Sequence, residues 1–306
     1  TQREEMMNFK TTLLSSAVLF ALVGCGSDDD KNDSVDPQPQ TAQFTLGVSD
    51  APVTGLKAVN VVFDSITLKT QGGEEFTFET REDDDETMPE MVNLLDYTGD
   101  DVFSLLEDEE VAAGEYQWIR ADVINGDTND LTMTSHVVYE DDSIAPLVVK
   151  RKGNDGIGEI QLDGFTLNQA GNEFVIEFDL KKSLVDPQNS DEIFLKPRGV
   201  RLENLAESED IEGTVSDVLI ANCETDNIDI ALEDGSFGHA VYLYSSDVEM
   251  PMDNYEVNED ETPLDAPLAT ADVVFDNEDN QYEFELAFIQ PGDYQLAYTC
   301  AAHIDD

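Results

Sequence analysis

The sequence predicts an all-β protein, mainly strands with at most one or two short helices. The strands should form two antiparallel, sandwich-like domains behind a signal peptide and a disordered tether. Three observations predict this class. Apolar residues alternate with period two in many short runs, most strictly over Glu173 to Leu180, where Phe174, Ile176, Phe178 and Leu180 point one way and Glu177 and Asp179 the other. Hydrophobic residues make up 40% of the chain and aromatics 8%, enough for packed cores and too much for a wholly disordered chain. At about 100–200 residues per domain, the 306 residues call for two domains.

Residues 1–24 read as a signal peptide. Lys10 precedes the apolar run Leu13 to Val23, which ends in Gly24 and Cys25. A membrane-spanning helix needs about 20 apolar residues, and Asp28, Asp29 and Asp30 arrive too early for one. Leu22-Val23-Gly24-Cys25 resembles the bacterial lipobox, which implies lipidation of the Cys25 thiol and cleavage before it. Each buried CH₂ of such an anchor contributes about 0.8 kcal/mol, and two or more acyl chains hold stably. Glu4 and Glu5 do not suit a basic leader, so translation is expected to start at Met6 or Met7. Gly26 rather than Asp follows the cysteine, which by resemblance to lipoprotein sorting favours the outer membrane and leaves the leaflet open.

Residues 25–42 form an acidic stretch with Pro37 and Pro39 and no apolar period, expected to be a disordered tether. A first β-rich domain is expected over 43–204. Its strands run through Phe44, Leu46 and Val48, then Ala58 to Lys69, Glu75 to Glu79, Tyr116 to Val123 and Glu173 to Leu180. Met91 to Leu106, with apolar residues unevenly spaced around Gly99, admits either helical turns or a loop. Trp118, the only tryptophan, is assigned to the core by its strand position.

The polar stretch Leu205 to Asp210 marks a boundary, and a second domain is expected over 210–303. Its strands are Ile211 to Ile220, Ile228 to Leu232, Ala240 to Tyr244, Ala269 to Phe275, Tyr282 to Ile289 and Tyr294 to Cys300. Strands this short, with turn residues between them, suggest an immunoglobulin-like or transthyretin-like sandwich. Asp276 to Asn280 reads as a hairpin turn. Both halves open a strand with Gly-acid-Tyr, at Gly114-Glu115-Tyr116 and Gly292-Asp293-Tyr294.

Several segments of the first half, in order, resemble one family. They are Val48-Ser49-Asp50-Ala51-Pro52-Val53, Asn93-Leu94-Leu95, Ala113-Gly114-Glu115-Tyr116, Phe178 to Val185 and Phe194-Leu195-Lys196-Pro197-Arg198. Residues 43–203 are on this basis similar to the domain of unknown function 4382 family of bacterial and archaeal envelope proteins. The resemblance implies a β-rich extracytoplasmic domain and no particular activity. Read by themselves, Lys181-Lys182 and Lys196-Pro197-Arg198 supply scarce positive charge that can pair with carboxylates at strand ends; a basic anion-binding spot is the functional alternative.

The chain carries 69 Asp and Glu against 15 Lys and Arg, a net charge of −54. Such a surface repels phosphate backbones and anionic headgroups, so no nucleic-acid partner is expected and membrane contact must come through the lipid. Beyond Cys25 only Cys223 and Cys300 remain, and an even pair in an exported protein reads as a disulfide. Cys300 is expected on the inward face with Tyr294, Leu296 and Tyr298; the competing reading is a metal site from Cys223, Cys300, His303 and His239. Calcium, which takes several oxygen ligands, has candidates in Asp127 and Asp130, in Glu82 to Glu86, and in Asp276 and Asp279, against the plainer reading of a solvated acidic surface.

No catalytic constellation emerges: Gly235-Ser236-Phe237-Gly238 lacks the spacing of a nucleophile elbow, and neither a His-Glu-x-x-His motif nor a phosphate loop occurs. The expected function is that of a lipid-anchored cell-envelope protein, a non-catalytic binding or structural module without a cofactor, with a glycan or protein partner at the cell surface. The alternatives are a sugar-binding accessory or hydrolase of a polysaccharide-degradation system, and a calcium-stabilised adhesin.

Overall fold

The computed structural model describes residues 40–51, 55–82, 85–131, 133–153, 157–169, 171–187, 190–232, 234–253 and 265–304. The segments expected to be signal peptide, lipobox with Cys25 and tether, up to residue 39, lie outside them. The described residues pack as one unit.

The first half begins with β1 (Thr41–Ala51), two residues inside the stretch expected to be tether, followed by β2 (Leu56–Thr70) and β3 (Glu75–Glu79). Then come β4 (Arg81–Glu82), β5 (Asp85–Asn93), β6 (Phe103–Ala112), β7 (Gly114–Val123), β8 (His136–Tyr139) and β9 (Ile144–Val149). The half closes with β10 (Gly158–Leu162), β11 (Thr166–Leu167), β12 (Asn172–Asp179), the single turn α1 (Leu180–Ser183), β13 (Leu184–Val185), β14 (Ile193–Leu195) and β15 (Val200–Asn204). One sheet has the order β15-β12-β1-β6. The other runs β10-β7-β2-β8-β9-β14-β13, with β3 and β5 also on β2, β4 on β5 and β11 on β7. Their facing sides bury Phe44, Leu46, Phe63, Ile66, Ile119 and Phe178 in one core, the large aromatic and branched side chains that dominate burial of apolar area.

The all-β expectation with antiparallel sheets holds, and two details refine it. Pairing is not antiparallel throughout: β1 lies parallel to β12, and β14 parallel to β9. Met91 to Leu106, left open between helical turns and a loop, resolves into strand ends flanking one helical turn and a loop. Val92 pairs with Val61 on β2, Leu94–Asp96 makes a single 3-10 turn, Gly99 takes φ +63, and Phe103 begins a strand against β1. The positive φ, which glycine adopts at low strain, breaks the segment where a helix would need continuity.

The second half has β16 (Glu209–Val215), α2 (Asp217–Asp226), β17 (Ala240–Ser245), β18 (Ala269–Asp272), β19 (Val274–Asp276), β20 (Gln281–Ile289) and β21 (Tyr294–Thr299). Two three-stranded sheets, β16-β20-β19 and β18-β17-β21, close over Val215, Ile220, Val241, Leu243, Leu286 and Ile289. The strand expected to reach Ile220 stops at Val215, because Ser216 caps a helix by accepting a hydrogen bond from Leu219 N at 3.3 Å. Ile228–Ile230 is a 3-10 turn rather than a strand. Leu296 is exposed, so the inward row expected along β21 is broken there; Tyr294 and Tyr298 still pack on the core, and Cys300 is fully buried.

The Gly-acid-Tyr pair is a structural likeness as well as a sequence one. Tyr116 Oη donates to Ala112 O and Tyr294 Oη to Gln290 O, each at 2.7 Å and each to the carbonyl four residues upstream. Burial and the charge of Glu74 push the Tyr116 hydroxyl up to about 12, so it stays a donor over the working pH range.

Candidate functional site

Cys223 and Cys300 form a disulfide, their Cα atoms 6.0 Å apart. The thiolate–imidazole metal site is thereby not formed. His303 Nδ1 accepts from Gly238 N at 2.9 Å and its Nε2 faces Ile230 O at 2.8 Å, while His239 lies between Tyr298 Oη (2.8 Å) and Glu224 (3.3 Å). Partial burial holds the His239 imidazole below its usual range, against the pull of Glu224.

The calcium candidates separate. Asp127 turns its carboxylate on its own loop, accepting from Asn129 N at 2.9 Å and Asn129 Nδ2 at 2.7 Å. Among the described residues Asp127 and Asp130 join no third acid in a ligand-sized group, whereas Asp276 and Asp279 meet Glu283 with carboxylate oxygens within 4.8 Å of one another. That triad spans the β19–β20 hairpin, Asp276 ending β19, Asp279 in the turn and Glu283 on β20, and is engaged there: Asp276 accepts from Glu278 N and Glu283 from Gln281 Nε2, both at 2.6 Å. Asp83 and Asp84 lie outside the described residues, and the side chains of their neighbours Glu82, Asp85 and Glu86 are not described. A cleft of about 610 Å³ lies beside the triad, between Thr98-Gly99 and the strands carrying Glu212, Glu283 and Glu285. Burial and the surrounding Asp100, Asp210, Glu212 and Asp101 raise the Glu285 carboxyl.

The paired basic motifs turn inward. Where the two halves meet, Arg201 pairs with Glu177 and, at 2.9 Å, with Glu203, whose other oxygen accepts from Gln290 Nε2 at 2.7 Å. Lys181 pairs with Asp272, Lys182 Nζ donates to Pro267 O at 2.7 Å, and Arg198 Nε donates to Lys182 O at 2.9 Å. The anion-binding alternative is thus set aside for Lys181 and Lys182, whose charges are spent on contacts within the chain.

One acid in this seam lacks a cation. Asp50, 1% exposed, has neither carboxylate oxygen in a hydrogen bond of ordinary geometry, although Leu180 N–H lies close enough to favour the charged form. Burial, then Asp179, Glu177 and Asp272, hold its carboxyl well above the usual range. Asp179, 2% exposed, caps α1 through Lys182 N at 3.1 Å, and its second oxygen is left near the Thr270 hydroxyl without a well-formed bond. Glu177 and Asp179, the acids that alternation assigned to solvent, are therefore buried, at 4% and 2% exposure.

A different surface exposes what the sequence assigned to the core. On β7, Tyr116 and Ile119 point inward, and the two residues between them both point out. The register against β2 slips there: Lys69 faces Trp118 and Thr70 faces Tyr116, so Gln117 is the extra residue of a bulge. Trp118 is partly exposed, with Lys69 Nζ and Arg120 Cζ each 5.4 Å from its ring centroid. Those cations have carboxylate partners: Lys69 with Glu75 at 2.9 Å, Arg120 with Asp122 at 3.0 Å and Glu159 at 3.5 Å. Arg151 adds Glu159 at 3.2 Å and Gln161 Oε1 at 2.9 Å. Cross-strand pairing sets Gln161 beside Arg120 and Glu159 beside Asp122, so one face presents an indole edged by planar polar groups.

These features define an all-β protein of two sandwich-like halves, bridged by the Lys181–Asp272 ion pair and the Gln290–Glu203 hydrogen bond, with a polar aromatic face on the larger sheet. The chain belongs to the family described as domain of unknown function (DUF4382), which matches residues 41–197. No curated protein and no solved structure matches it. Among the described residues no helix is long and apolar enough to cross a membrane.

Proposed function

We propose that this chain is a lipid-anchored protein of the cell envelope, on the outer membrane, working without a cofactor as a non-catalytic binding or structural module. The observation that carries this reading is Leu22-Val23-Gly24-Cys25 at the end of an apolar run, followed at once by an acidic, proline-containing stretch. The bridge between Cys223 and Cys300 supports export, since structural disulfides persist in oxidising compartments. The net charge of −54 argues against nucleic acid and anionic lipid as partners. The partly exposed Trp118, turned out of the core row, favours binding over a purely structural role.

The test is metabolic labelling with a fatty-acid analogue. The wild-type chain should label and fractionate with outer membranes, and Cys25→Ser should do neither; labelling that survives the substitution would end the reading.

A further inference from the structure

We infer that the outer face of β7, β2 and β10 around Trp118 is a binding site for a neutral glycan; this rests on the proposed role as a binding module and names its ligand class. Three observations carry it. The first is the bulge at Gln117, which turns the chain's sole tryptophan out of the core row that Tyr116 and Ile119 occupy. A bulge that re-aims one side chain is a device found beside functional sites. An indole face gives the flat apolar platform on which the C–H groups of a pyranose ring can lie.

The second observation is the rim. Arg120, Arg151, Asp122, Glu159 and Gln161 are planar donors and acceptors, the groups that match pairs of adjacent ring hydroxyls. They are ordered in advance by contacts to one another, which lowers the entropy lost on binding. The third is charge. Lys69, Arg120 and Arg151 are matched here by Glu75, Asp122 and Glu159, so the face is locally neutral on a chain of −54. A polyuronate or sulfated glycan meets the repulsion of the whole molecule. A basic partner has acids to choose from everywhere and no reason to prefer this face. A neutral polyol suits both the platform and the rim.

Because Trp118 is the only tryptophan, its emission reports on this face alone. The experiment titrates the full chain in detergent micelles with cello-, manno-, laminari- and xylo-oligosaccharides, and with oligogalacturonate as the anionic control. At least one neutral oligosaccharide should shift or quench the emission saturably, and oligogalacturonate should not. By calorimetry, Trp118→Ala should weaken that ligand about tenfold, the effect of losing one aromatic stacking partner, and Gln161→Ala should weaken it with the circular dichroism unchanged. Silence with every neutral sugar, undiminished binding by Trp118→Ala, or equal binding of oligogalacturonate overturns the site. Undiminished binding by Trp118→Ala would relocate the glycan and leave the binding-module reading standing. Release of reducing ends would overturn the non-catalytic reading and leave the face intact.

Discussion

Replacing Asp50 with asparagine keeps the shape of the side chain and removes the one seam acid that has no cation of its own. Burial comes first among the causes that raise its carboxyl, followed by the charges of Asp179, Glu177 and Asp272, with the Leu180 N–H pulling the other way. In the unfolded chain an aspartate titrates at about 3.9. From there up to the folded value, the native state holds a proton that the unfolded state has lost. Stability conferred by protonated Asp50 is thus complete at low pH and falls as pH rises, by about 1.4 kcal/mol per pH unit within that window. The amide carries no titrating proton, so the Asp50→Asn variant should lack that part of the slope. At about pH 4 the two proteins should unfold at similar urea concentrations. At about pH 8 the variant should be the more stable by about 1–3 kcal/mol, the scale of desolvating an unpaired polar group. At this chain size that corresponds to about 2–4 °C in midpoint per kcal/mol. The assay is urea unfolding of both proteins across the pH range. A wild-type-minus-variant difference that stays flat with pH, or that grows in favour of the wild type, would refute the account of Asp50 as a buried, protonated acid.

Two further predictions concern the same body. Arg201→Met strands Glu177 in the seam and should destabilise by about 3–5 kcal/mol; combining it with Glu177→Gln should recover most of that loss, and a thermal melt showing no recovery would mean the pair is not the reason. Reducing the Cys223–Cys300 bridge, which spans 77 residues, should lower stability by about 4 kcal/mol in the chain-entropy view, read as a lower midpoint with reductant than without.

The strand framework was largely legible. Glu75–Glu79 is a strand as read, and Tyr282 to Ile289 lies within β20, because strict alternation on an edge or half-covered strand has one solution. What alternation cannot give is the identity of whatever covers the second face. Glu177 and Asp179 alternate with apolar residues like solvent-facing acids, yet the second half packs over them and supplies Asp272 and Thr270. The usable signal was nearby: two of the scarce cations, Lys181 and Lys182, fall just after the acid-bearing strand that ends at Asp179. Trp118 was misplaced for a local reason, since one bulge residue reverses the facing of every position after it, and no residue type announces a bulge. Helix α2 hides because Ile220 is its only buried residue, so it leaves no apolar stripe of helical period to find.

The parallel pairing of β1 with β12 has a kinetic consequence. Phe44 aligns with Asn172 and Ala51 with Asp179, so the first strand of the fold closes a loop of well over a hundred residues before it is bonded on that side. Such high contact order slows folding. During synthesis, β1 emerges long before its partner exists. The body therefore cannot mature stepwise from its N-terminus, and a chain arrested short of residue 179 should leave that strand's edge unpaired on the β12 side and prone to join the wrong neighbour.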